Sequence, residues 1–310
     1  MPLFEKNSAG SQLFILVFVL LASVFIFTPL GILIANPFID GNIFTAIAQM
    51  NQANTTQDIA LLKYFQIIGQ LGLFIISSFI FALLVSSRPF AFFGLTKRPQ
   101  ISLIVIALLI GIVSTPALNW TIEFNNRAQL PESLAPLENW MRQMEIEATR
   151  LTNLFLSSEG YINLMINLLM MAVLAGLGEE LLLRGAIQPL LIKITKNPHI
   201  GIWLAAALFS LMHFQFFGFV PRLLLGALFG YYYYWSRSLW IPIIAHIANN
   251  GLIVLYTFFI GTGNFSSPTG EVSVDDSPSA LMIVLSISLT LAGLLFFYFE
   301  SLKQKKTKIY

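Results

Sequence analysis

Cysteine is absent from the 310 residues, which removes disulfide frameworks, thiolate metal ligands and thiol nucleophiles from consideration. Charge is scarce as well: Asp, Glu, Lys and Arg make up 10% of the chain, against about 25% in an ordinary soluble protein. With 56% of residues hydrophobic, 17 basic and 15 acidic side chains cannot coat a core of that size in water. The same numbers exclude a disordered chain, which would be poor in apolar residues. Histidine is limited to three residues, and no internal repeat or low-complexity segment stands out beyond a basic C-terminal tail. A formal net charge of +2 gives no reason to expect nucleic acid as a partner. The solvent is largely the lipid bilayer, and the expected fold class is all-α: a polytopic integral membrane helix bundle.

A span needs about 20 mainly apolar residues to cross about 30 Å of hydrocarbon. About eight transmembrane helices are expected, at residues 13–35, 64–85, 101–120, 161–194, 200–220, 223–235, 239–260 and 280–302, the sixth being short and tyrosine-rich. The first is too long for a signal-peptide core and lacks a clean cleavage site, so it reads as a span. Lys and Arg set the orientation. With the N-terminus in the cytoplasm, Lys6, Arg88, Lys97, Arg98, Lys193, Lys196, Arg237, Lys303, Lys305, Lys306 and Lys308 lie inside, against Lys63, Arg127, Arg142, Arg150 and Arg222 outside. Both termini are then cytoplasmic, in a bacterial cytoplasmic (inner) membrane. Leu137, Met141, Met144, Ala148, Leu151 and Phe155 recur at helical spacing with Glu138, Arg142, Glu145 and Glu147 between them, which predicts an amphipathic interfacial helix running into the fourth span. Residues 261–279 read as a mobile loop. Arg222 and Arg237 read as boundary anchors, His199 as interfacial, and Tyr231, Tyr232, Tyr233, Tyr234 and Trp235 as an aromatic belt.

Ionisable side chains inside a bilayer cost about 3 kcal/mol or more each, so they persist where they pair, face a cavity or do chemistry. Here they form three groups: Glu179, Glu180 and Arg184 in the fourth span, His213 with Ser210 and Phe209 in the fifth, and His246 with Asn249 and Asn250 in the seventh. Glu180 and Arg184 are four apart, with the acid N-terminal to the base, the favourable orientation for an ion pair. Glu179 is rotated about 100° from Glu180, which leaves it as the carboxylate free for proton transfer. His246 and Asn250 share a face by the same spacing. Depth agrees: Glu179 lies 14 positions before Lys193 and His213 lies 14 after His199, about 21 Å of helix in each case. His246, nine positions past Arg237, lies about 14 Å in.

A carboxylate, two imidazoles and an amide in one buried pocket can remove a proton from water, hold that water and donate to the oxyanion of a tetrahedral intermediate. That is a peptide hydrolase constellation. Glu179, His213 and His246 are also a usable zinc set with water in the open position, although the histidines come from different helices and form no HExxH motif. Ser210 lies in no serine-nucleophile motif, which disfavours an acyl-enzyme route.

Glu179-Glu180-x-x-x-Arg184, Phe209-x-x-x-His213 and His246-x-x-x-Asn250, in that order on separate apolar helices, resemble the motifs of the CPBP intramembrane proteases, a family that includes CAAX prenyl proteases and bacterial bacteriocin-processing or immunity-associated proteins. The resemblance covers about residues 160–260. It implies an intramembrane endopeptidase acting on a membrane-associated, prenylated or otherwise lipidated protein or peptide. In that reading Glu179 activates water, His213 positions or activates it, and His246 with Asn250 forms the oxyanion site. Glu180, Arg184 and Phe209 support them. Both a zinc enzyme and a metal-independent glutamate hydrolase fit the resemblance. It divides the chain into N-terminal spans at 1–130 and a protease core with its final span at 131–310. Two other function classes compete: an ion- or proton-coupled transporter, and a non-catalytic membrane immunity or binding protein. The cleaved substrate and the oligomeric state are outside what the residues specify.

Overall fold

A computed structural model describes residues 2–39, 41–49, 55–127, 129–261 and 278–307. Among them there is no strand; nine longer helices carry the fold. These are α1 (Ala9–Ala35), α2 (Thr56–Val85), α3 (Ile101–Asn126), α4 (Ala135–Leu156), α5 (Tyr161–Thr195), α6 (Pro198–Leu211), α7 (Phe219–Ser236), α8 (Trp240–Ile260) and α9 (Ala280–Thr307). The chain is a polytopic membrane helix bundle. Six of these helices, α1, α2, α3, α5, α8 and α9, are long and apolar enough to cross a membrane; α6 has 14 residues and α7 has 18. The loop expected at 261–279 falls mostly outside the described residues, as does Lys308.

Helix ends follow local chemistry. Thr55 and Asp58 form a capping box at the start of α2. Lys196 and Arg237 end α5 and α7 in the left-handed conformation, with φ of 55° and 59°. Asn197 then caps α6, its side-chain oxygen accepting from the amides of His199 and Ile200, with Pro198 at the first helical position. Pro116 interrupts α3, and Ser286 of α9 repairs the break: its hydroxyl accepts from the Ala117 amide at 3.1 Å and donates to the Val113 carbonyl at 2.6 Å.

The apolar residues sort by environment. Phe14, Phe18 and Phe25 on α1 and Leu281, Leu289 and Leu295 on α9 are exposed, as a lipid-facing surface requires. The two largest buried clusters among the described residues organise the interior. Leu16, Phe81, Leu182, Leu183, Ala186 and Phe209 join α1, α2, α5 and α6, while Leu103, Ile106, Ile110, Phe229, Tyr232, Ala245 and Phe297 join α3, α7, α8 and α9. The long helix α5 lies between the two groups and touches α1, α2, α6, α7 and α8. It and α2 contain π-helical stretches, at Leu168–Leu174, Leu181–Ile187 and Gln70–Ile76. Such stretches are enriched at functional sites, and one follows directly on Glu180.

Four expectations change. The fifth span does not reach residue 220: α6 stops at Leu211, and residues 212–218 form a loop with Phe214 at φ 52° before α7 turns back. The outer amphipathic helix is separate from the fourth span, since α4 ends at Leu156 and the chain turns at Gly160, φ 89°. Lys63, counted among the outer charges, and Arg222, read as a boundary anchor, are packed within the protein, 3% and 7% exposed. Tyr232 is buried against Phe297 instead of joining a belt.

Close helix packing in membranes depends on small residues, and the α5–α8 contact supplies a paired test. A Cβ added at Gly176 would stand 3.0 Å from the Ile247 backbone nitrogen, which cannot step aside, whereas one added at Gly251 would meet nothing nearer than 3.7 Å. Gly176→Ala is expected to cost about 1–3 kcal/mol and to lower the melting temperature in detergent, with Gly251→Ala at or above wild type. Equal melting temperatures would contradict the packing described here.

Candidate active site

The three polar groups found along the chain meet in one place. Arg184, 1% exposed, donates from Nη1 to Glu180 Oε1 at 2.8 Å and from Nη2 to the Gly226 carbonyl at 2.8 Å. Its guanidinium lies 4.9 Å from the Phe209 ring and 5.6 Å from the Phe229 ring. The same Glu180 oxygen is 2.9 Å from His246 Nδ1. An ionised carboxylate only accepts, so His246 Nδ1 carries the proton in this contact. Glu180 Oε1 is thus engaged from two sides, inside a fully buried setting, while its Oε2 has no hydrogen-bond partner among the described residues.

Glu179 is disposed differently. Its Oε2 stands 4.0 Å from His213 Nε2 and 4.0 Å from His246 Nε2, and has no hydrogen-bond partner among the described residues. His213 Nδ1 is 2.8 Å from the Phe209 carbonyl. A carbonyl only accepts, so this contact puts the proton on Nδ1 and leaves the Nε2 lone pair facing Glu179. A water oxygen at about 2.8 Å from each of two groups spans a 4.0 Å gap without strain. Glu179 and His213 are also the open members, with side chains 14% and 30% exposed, while His246 is 3% exposed.

Phe209 does more than fill space. Its ring stands edge-on to both imidazoles, centroids 5.0 Å from His213 and 5.7 Å from His246, and faces Arg184 as well. Phe229 of α7 stacks on His246 at 5.1 Å and 28°. Asn250, one turn along α8 from His246, is the sequence-derived site residue standing apart. Its Nδ2 donates to the Met171 carbonyl at 3.0 Å, and its Oδ1 accepts from Asn249 at 3.2 Å.

The zinc set that Glu179, His213 and His246 would form needs a tighter arrangement than the one present. Ligands about 2.1 Å from a tetrahedral ion stand about 3.4 Å apart, whereas both Glu179–histidine edges are 4.0 Å. Among the described residues no group of three His, Asp or Glu side chains is arranged to hold a metal ion. As placed, these side chains do not fit a metal centre.

Several residues around the site carry no sequence signal. The 212–218 loop that bears His213 is held from three helices. Asn125 Nδ2 of α3 donates to the carbonyls of Phe216 and Phe217. Glu145 Oε2 of α4 accepts from the Phe217 amide at 2.9 Å. Arg222 of α7 donates to the Gln215 carbonyl at 3.2 Å and to its side-chain oxygen. Glu145, which the helical pattern put on a solvated face, is 5% exposed because α4 lies over this loop. Burial pushes its carboxyl above the ordinary value, against the Phe217 amide and the Arg222 charge, which pull it down. Phe229 is one of 28 phenylalanines, and no spacing marks it out.

Residues 161–252 match the family model described as type II CAAX prenyl endopeptidase, Rce1-like. The matched stretch contains Glu179, Glu180, Arg184, Phe209, His213, His246 and Asn250. It is the family that the three motifs resemble. The chain is also similar to the uncharacterized protein YpbD of Bacillus subtilis (strain 168), 29% identical over 84 residues, 26% of this chain. It spans 40% of the length of that curated relative. No solved structure matches it.

The two neighbouring carboxylates should respond oppositely to mutation. Arg184→Leu strands a buried Glu180 and is expected to cost about 3–5 kcal/mol of stability, read as a lower unfolding midpoint in detergent. Glu179→Gln, removing a carboxylate oxygen that has no partner to lose, should leave that midpoint near wild type. The reverse order would contradict the division between the two.

Proposed function

We propose that the protein is an intramembrane endopeptidase that hydrolyses a peptide bond of a membrane-associated or lipidated protein, with Glu179 activating the attacking water. The observation that carries this reading is the position of Glu179 Oε2, 4.0 Å from two imidazole nitrogens while the adjacent Glu180 is bound to Arg184 and His246. The match of residues 161–252 to the type II CAAX prenyl endopeptidase model supports it.

The reaction follows from the donors and acceptors. A water between Glu179 Oε2 and His213 Nε2 donates one hydrogen to each, which turns an oxygen lone pair toward the substrate carbonyl carbon. Glu179 takes a proton as the new C–O bond forms. The carbonyl oxygen, now an oxyanion, accepts a hydrogen bond from His246 Nε2 in its doubly protonated form; Asn250, whose Nδ2 has one hydrogen beyond that given to the Met171 carbonyl, is the second donor that the motif implies. The proton on Glu179 passes to the amide nitrogen as the C–N bond breaks. An amine and a carboxylic acid are released, and the acid ionises. Glu180 accepts from His246 Nδ1 and holds that ring in place, and Arg184 keeps Glu180 from acting as a second base.

We further propose a bacterial cytoplasmic membrane as its location, with both termini inside. Lys97, whose ammonium donates to the Ser236 carbonyl, and Arg237, whose backbone lies against Gly94, bring two of the basic loops to one end.

Purified protein in proteoliposomes, offered a library of peptides, should cleave with or without chelator. Glu179→Gln should lower kcat by about 10²–10⁴-fold, and His213→Ala should act in the same direction. Cleavage by Glu179→Gln at the wild-type rate would sink the assignment, and loss of activity to the chelator would reinstate a metal.

A further inference from the structure

We propose that Glu145 is a positioning residue of this site: by accepting the Phe217 amide it holds the 212–218 loop so that His213 faces Glu179. The proposal rests on the peptidase reading and adds to it a residue that lies outside all three motifs, on a helix that does not cross the membrane.

The loop needs such support. Between Leu211 and Phe219 the backbone leaves the helix: the amides of Met212, His213 and Phe214 still bond to carbonyls of α6, but by Phe217 that reach is spent and the amide bonds to Glu145 instead. His213 sits at the start of this stretch. Its contact with the Phe209 carbonyl sets which ring nitrogen carries the proton, but the course of the following residues is decided elsewhere.

α4 decides much of it. Glu138 and Glu147 on the same helix pair with Arg142 and Arg150, four and three residues along. Glu145 turns inward and accepts from Phe217 at 2.9 Å. Beside it, the Trp140 ring meets Phe216 at 5.2 Å and the Arg142 guanidinium covers the Phe217 ring at 4.4 Å. Asn125 of α3 holds the carbonyls of the same two residues. The loop is thus gripped from a surface helix as well as from within the bundle.

A carboxyl is a costly means of filling this space, because a leucine would pack there with no polar group to desolvate. What the carboxyl supplies, and leucine does not, is an acceptor at one defined point of the loop. Glutamine keeps such an acceptor. A small displacement of His213 would move its Nε2 relative to Glu179, and displacements of about 1 Å can cost about 10²-fold in rate.

The test uses the full chain in proteoliposomes, comparing wild type with Glu145→Gln, Glu145→Leu and Asn125→Leu. Steady-state cleavage of a peptide taken from the library is measured alongside backbone hydrogen exchange. Glu145→Leu is expected to lower kcat by about 10- to 100-fold with KM within about twofold, while Glu145→Gln keeps about half or more of the wild-type kcat. Exchange should quicken across 212–218 in Glu145→Leu and stay unchanged in α5. If Glu145→Leu does not fold, Asn125→Leu must show the same kcat loss at unchanged KM, with Glu145→Gln active. The proposal is overturned by Glu145→Leu cleaving as fast as wild type, by Glu145→Gln falling as low as Glu145→Leu, or by a kcat loss without faster exchange at 212–218. Those outcomes leave the peptidase reading standing. A wild type without Glu179-dependent cleavage overturns that reading and this proposal with it.

Discussion

A guanidinium sealed inside the bundle, 2.8 Å from Glu180 and 2.8 Å from the Gly226 carbonyl, governs how the surrounding polar groups are arranged. Arg184 has no route to water, so its charge is tolerable only while Glu180 stays ionised beside it. Glu180 in turn receives His246 Nδ1 on the same oxygen. That chain of contacts runs from α5 through α7 to α8, and it fixes the imidazole whose other nitrogen faces Glu179. Aromatic rings close around it: Phe229 lies flat against His246, and Phe209 stands edge-on to both imidazoles. A buried ion pair is weak evidence for stability by itself. Here its consequence is positional, because it assigns different work to two adjacent carboxylates.

The surrounding fold is arranged to carry this polar cluster through an apolar medium. α5 supplies both carboxylates and the arginine, and it is covered by α1, α2, α6, α7 and α8. The π-helical stretch at Leu181–Ile187 begins immediately after Glu180 and includes Arg184. Glycines let the helices close up at the site: a Cβ at Gly226 would stand 3.0 Å from the Phe209 ring, and one at Gly176 as close to the α8 backbone. Helices α3 and α9 pack together against α7, with α3 also touching α8, and Ser286 of α9 repairs the proline break in α3.

Much of this was legible in the residues because a membrane makes polar exceptions conspicuous. Glu179, Glu180, Arg184, His213 and His246 stood out as ionisable groups within apolar runs, and the four-residue spacing of Glu180 and Arg184 anticipated their ion pair. Residues whose roles depend on tertiary contacts were not legible. Glu145 has the periodicity of a solvated helix position and becomes buried only because α4 folds over the 212–218 loop. Arg222 resembles a boundary anchor until the loop before it presents the Gln215 carbonyl. The end of α6 is hidden for a related reason: 200–220 is apolar apart from Ser210, His213 and Gln215, and its helix stops at Leu211 where Asn125, Glu145 and Arg222 offer partners to the backbone that follows.

The central claim is that Glu179 acts as a base toward water and forms no bond to the substrate. A single turnover in ¹⁸O-labelled water separates the two routes directly, with enzyme in excess over a cleavable peptide. Direct attack by water places the label in the new C-terminal carboxylate of the product and leaves Glu179 unlabelled, which is the outcome the geometry predicts. Attack by the carboxylate itself would form a mixed anhydride; label left on Glu179 after water opens it at the enzyme's carboxyl carbon, or capture of its acyl group by added hydroxylamine, would contradict the account.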